Sequence, residues 1–113
     1  MARQPHSHGL DEVIADRVVR GLYHRLLAFV SALHDDVRVE ESDVDVRVAF
    51  GEHALCRVVP YRELVHVQIG TEGTWETRLR DEQGFRVLAD RVLREFVATA
   101  ARRAGTDPPR RLP

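Results

Sequence analysis

The apolar residues of this chain change their spacing twice, and that double change restricts the folds open to it more than any other feature. From Leu10 they recur every fourth residue, at Leu10, Ile14, Val18, Leu22, Leu26 and Val30, flanked by Val13, Val19, Tyr23, Leu27, Phe29 and Leu33. A broad stripe of that period is one face of a helix, here about 24 residues long. Gly21 inside it costs up to about 1 kcal/mol relative to alanine, which predicts close packing against a second helix at that point. The period then falls to two: Val44, Val46, Val48 and Phe50 alternate with Asp43, Asp45, Arg47 and Ala49, the pattern of a strand with one buried face.

Gly51-Glu52 is short enough for a hairpin turn. A second strand, His53 to Val59, places Ala54, Cys56 and Val58 on one side and Leu55, Arg57 and Val59 on the other, and Pro60, which has no N–H to donate, ends it. A third, Glu63 to Ile69, puts Val65, Val67 and Ile69 inward and Leu64, His66 and Gln68 outward. After the turn cluster Gly70 to Gly73, Trp75, Thr77 and Leu79 alternate with Glu76, Arg78 and Arg80. Asp81 supplies a capping acid and the helical period returns at Phe85, Leu88, Ala89, Val92, Leu93, Phe96, Val97 and Ala100, with Arg102 and Arg103 in the last turn and Gly105 as a stop.

Two amphipathic helices and four alternating strands bury their apolar sides together only if both helices lie on one face of the sheet. The predicted fold is therefore an α+β two-layer sandwich, in the order α-β-β-β-β-α, with an antiparallel four-stranded sheet. Leu10 to Gly105 forms the domain, between an N-terminal arm, Met1 to Gly9, and a proline- and arginine-containing tail, Thr106 to Pro113.

Composition narrows the function classes. The chain has 113 residues, 43% hydrophobic and 31% charged, enough for one core and unlike a disordered chain. Its single cysteine, Cys56, allows neither an internal disulfide nor a cysteine zinc site, and no apolar run has the length of a membrane span, so the expected compartment is the cytoplasm. All 17 basic residues are arginine, a mark of GC-rich, bacterial-type coding. The net charge of −1 creates no field toward nucleic acid or an anionic membrane, although Asp35 to Asp45 carries −5 and the chain from Gly84 onward +4.

With one sheet face under the helices, the other carries Arg47, Leu55, Arg57, Val59, Leu64, His66, Gln68 and Arg78, beside Asp45, Glu76 and Arg80. A solvated face with isolated aliphatics is one reading. The other is a partner surface, because arginine mixed with apolar residues is the composition of interface cores, and an uncovered antiparallel sheet suits dimerisation. Single-stranded nucleic acid on this face is disfavoured, since such sheets stack bases on aromatics and none is predicted there.

The acidic residues Asp35, Asp36, Glu40, Glu41, Asp43 and Asp45 offer carboxylate oxygens to a cation, without the ligand alternation or central glycine of an EF-hand. The alternative reading is a solvated connector whose charges guard a strand edge. A helix, strands and a helix, with an acidic patch near the first junction, are similar in outline to frataxin-type iron-binding proteins across most of the chain, and that resemblance implies metal binding or delivery through the acidic segment. The chain departs from the family in Arg17, Arg20 and Arg25 on the first helix and in a third strand without the family's tryptophan; Trp75 falls on a later strand, facing inward.

Catalytic signals are sparse. Cys56 is predicted to be an inert core thiol, no nucleophile-elbow, phosphate-loop, dinucleotide or zincin motif occurs, and the histidines do not pair at metal-ligand spacing apart from His6 and His8 on the arm. The expectation is a non-enzymatic binding or adaptor protein without a cofactor, acting through a protein partner or its own copy on the open sheet face, with the acidic metal reading as the alternative.

Overall fold

A computed structural model describes residues 9–70 and 75–105; the arm before Gly9, most of the Gly70 to Gly73 turn and the tail from Thr106 lie outside the described residues. The single long first helix of the sequence reading is broken. Leu10–Val13 is a 3-10 turn, Ile14 is extended, and the α-helix proper, α1, runs over Arg17–Ser31. Asp16 causes the restart: its carboxylate accepts the Val19 N–H at 3.0 Å, satisfying one of the donors a helix start leaves open. The break is also held from outside, because the Ala15 and Asp16 N–H groups donate to the Arg62 carbonyl and Arg20 reaches back to the Ile14 carbonyl. Leu10 and Ile14 thus stay in the core, and α1 turns Val19, Leu22, Tyr23, Leu26 and Val30 inward, all of them within the predicted stripe. Val18, predicted inward, is 65% exposed.

Gly21 also departs from expectation. A Cβ built there meets nothing within 4 Å, and the position is exposed, so no close helix approach requires the glycine. Gly21→Ala should therefore stabilise the protein by about 0.5–1 kcal/mol, read as a higher urea midpoint at unchanged slope.

The sheet has five strands rather than four: β1 (Val37–Glu41), β2 (Val46–Phe50), β3 (His53–Pro60), β4 (Val65–Ile69) and β5 (Trp75–Leu79). They form an antiparallel meander in the order β1-β2-β3-β4-β5. The additional strand comes from the acidic stretch, where Val37 and Val39 alternate with Arg38 and Glu40 and pair with Phe50 and Val48. Between β2 and β3, Gly51 adopts φ +62°, the left-handed conformation that a two-residue hairpin turn needs.

β3 carries a bulge. Val48 pairs with Cys56 but Ala49 pairs with Ala54, so Leu55 is an extra residue on one strand. An insertion reverses the side-chain parity on one side of it. Leu55, predicted to face outward, is fully buried, and Ala54, predicted inward, is exposed. From Cys56 onward the parity is as read: Cys56 and Val58 are buried, and Pro60 ends the strand opposite Val65.

The second helix, α2, covers Glu82–Gly105; Asp81 accepts the Gly84 N–H at 2.8 Å at its start. Phe85, Leu88 and Val92 are buried, with Ala89, Phe96 and Ala100 against the core. Leu93 and Val97, read as part of this stripe, are 42% and 57% exposed. Along α2, Asp90 meets Arg94 at 3.1 Å, and Arg91 lies over the Trp75 ring. Both helices pack on the face bearing Val46, Val48, Val58, Val65, Val67 and Leu79, and they contact each other. Arg25 is bidentate to Glu82, and the far end is tied by Phe96 against Phe50 and by Arg103 over Phe50 and against Asp36.

Candidate protein-binding face

The strand registers lay out in rows the side of the sheet that neither helix covers. One row runs Glu40, Arg47, Arg57, Gln68, Glu76 across all five strands, each residue directly opposite the next. The adjacent row runs Val59, His66, Arg78. Arg47 and Arg57 face each other across β2 and β3, a placement of like charges that is unfavourable by itself.

Asp45 relieves it. Its carboxylate takes the Arg57 Nε–H and, at 3.4 Å, the Arg47 Nε–H, while the Ser42 hydroxyl donates at 2.7 Å. The residue is only 1% exposed, although it lies at the sheet surface: arginine side chains cover it rather than a thickness of core. The hydrogen bond from Arg57, then that from Ser42, therefore outweigh the cost of burial and hold the Asp45 carboxyl below the usual carboxylate range. Asp45 is thus a counter-ion within the sheet.

On the other side of the row, Glu76 accepts from His66 at 3.1 Å and from Gln68 at 3.4 Å. Arg78, beside them, makes no ion pair with any described residue. Three of the concavities among the described residues open on this face. One of about 540 Å³ has small residues, Ala49 and Ala54, beside Arg47, Arg57, Glu40 and Glu52. A second, a shallow depression of about 480 Å³ open to solvent, is lined by Tyr61, Leu64, His66 and Arg78. The third, of about 510 Å³, continues from His66 and Arg78 to Glu76 and Arg80.

Seven of the eight residues singled out from sequence share this face: Arg47, Arg57, Val59, Leu64, His66, Gln68 and Arg78. Leu55 is the exception, drawn into the core by the bulge. Sequence reading missed Tyr61, which is 51% exposed at the rim and gives the face an aromatic. Its signal was present, because the parity of Arg57 and Val59 continues past Pro60 to position 61.

The acidic segment is dispersed along the β1–β2 hairpin. Asp36 meets Arg103 at 3.3 Å, Glu40 lies on the open face, Glu41 accepts the Leu10 N–H at 3.0 Å, Asp35 and Asp43 are exposed, and Asp45 is taken by the arginines. Among the described residues no three His, Cys, Asp or Glu side chains are grouped to hold a metal ion. His24 pairs with Asp11 at 3.3 Å and His34 packs on Phe50. Cys56 is buried, and burial pushes its thiol up to about 12, so it is no thiolate nucleophile at neutral pH. Among the described residues no helix is long and apolar enough to cross a membrane. Compared with known proteins, the chain matches no family model, and no curated protein or solved structure is significantly similar to it.

Proposed function

We propose that the protein is a non-enzymatic binding or adaptor protein, a subunit of a complex whose protein partner docks on the open sheet face. The observation that carries this reading is the concavity formed by Tyr61, Leu64, His66 and Arg78 on the side the helices leave bare. Tyrosine and arginine around an apolar floor are the residue types that concentrate binding energy in protein interfaces. The partner segment places an aliphatic or aromatic side chain beside Leu64 and Val59, and carboxylates within reach of Arg78 and Arg57, whose planar guanidinium groups suit them.

The test is capture of the partner by the wild type, its identification, and binding of the purified pair. Leu64→Glu combined with Arg78→Glu should weaken that binding by about 100-fold or more, two interface anchors being lost, while Val97→Glu on the outer side of α2 leaves it unchanged. A partner that binds the double variant as tightly as the wild type, and is lost with Val97→Glu, contradicts the reading.

A further inference from the structure

β1 and β5 end the sheet, and each presents a row of backbone N–H and C=O groups with no strand beside it among the described residues. The two edges differ in charge. β1 lies in the stretch that carries −5, so pairing it with a copy of itself sets two strongly acidic segments together. β5 is neutral, with one acid and one base, Glu76 and Arg78, and it has no proline and no bulge.

From this edge we infer that two copies of the chain join through β5, antiparallel about a two-fold axis at Thr77, into one continuous ten-stranded sheet. Side chains alternate between faces, so a second β5 must set even-numbered residues opposite even-numbered ones. With Thr77 opposite Thr77 of the second copy, Glu76 meets Arg78 twice on the open face, and Trp75 meets Leu79 twice on the helix face. Sliding by one pair in either direction sets Glu76 against Glu76 or Arg78 against Arg78, which like-charge repulsion disfavours. The strand is thus self-complementary in the Thr77 register, as a closed two-fold interface requires.

The helices leave room for this. α2 lies against β3, β4 and β5, which sets its axis about one strand in from the edge. At roughly 4.8 Å between strands, the two α2 axes stand about 14 Å apart, beyond the 8–10 Å of helices in direct contact. The half-buried Trp75, under Arg91 at 5.2 Å, lies in the intervening cleft and is covered there. The edge joint leaves Tyr61 and Leu64 free and takes up only Arg78 of the residues lining their concavity, so the two surfaces share that one residue and are separated by variants at Leu64 and at Glu76.

Charge reversal tests it by sedimentation across a concentration series. The wild type should dimerise. Glu76→Arg alone and Arg78→Glu alone should each weaken the dimer by about tenfold or more. The double swap, E76R with R78E, should restore it, and an equimolar mixture of the two single variants should form the heterodimer. A wild type that stays monomeric at every concentration overturns the inference, as does a dimer indifferent to both single reversals. Leu64→Glu, which keeps Glu76, Thr77 and Arg78, reads the open face separately: it should lose the partner and keep the dimer.

Discussion

Leu55→Ala should lower the stability of the fold by about 3 kcal/mol, within the range for emptying a fully buried leucine site. The equivalent change at Leu64, on the same outward parity by sequence, should cost less than about 1 kcal/mol because that side chain is only half-buried. The contrast isolates the bulge. Leu55 is the residue that β2 does not match, and its side chain joins the core beside Cys56 while its carbonyl accepts the Gly70 N–H at 2.9 Å. Chemical denaturation of the two variants measures both numbers. Equal losses would mean that the two leucines share an environment, contrary to the bulged register.

Asp45→Ala should cost about 2 kcal/mol at neutral pH, the scale of hydrogen bonds to a charged group, because it removes the acceptor shared by Arg57, Arg47 and Ser42. It also leaves Arg47 and Arg57 opposed without a counter-ion. The penalty depends on pH in a stated direction. The folded state holds the Asp45 carboxyl below its ordinary range, so the contribution is complete above the unfolded value, near about pH 4. It is lost as pH falls through the lower, folded value. The stability difference between wild type and Asp45→Ala should therefore be full at pH 7 and shrink below about pH 4. A difference that stays constant from about pH 7 to about pH 2.5 would contradict a contribution from the ionised carboxylate.

Hydrophobic period carried most of the fold. The order of helix, strands and helix follows from two changes of spacing, and the alternation in β2 and β4 assigned Val46, Val48, Val65, Val67 and Ile69 to the buried face where they lie. Periodicity failed where a local event interrupts it. The first helix reads as continuous because Leu10 and Ile14 keep the spacing, while the interruption is marked only by Asp16, whose capping role depends on the chain turning there. β1 was hidden by its charges: Val37 and Val39 are the strand's only apolar residues, and four acids surround them in sequence. The bulge at Leu55 has no signature in composition, since alternation on either side of an inserted residue looks unbroken.

The candidate face was legible to the same extent. Parity placed Arg57, Val59, His66, Gln68 and Arg78 on one side without knowledge of strand order. Register added what parity cannot supply, namely which residues are neighbours across strands. In sequence Asp45 counts both as an acid of the connector and as a residue of the open face, and its burial follows only from the β2–β3 register that brings Arg47 and Arg57 to it. Pro60, which ends β3, hides in the sequence that the outward row continues to Tyr61.

The central claim, that a protein partner occupies the bare side of the sheet, is tested most directly by placing a photo-crosslinking side chain at Leu64 and, separately, at Val97, and irradiating each in the presence of the partner. The docking proposal predicts a crosslinked complex from position 64 and none from position 97. Crosslinking from position 97 with none from 64 would place the partner on the helices and contradict it.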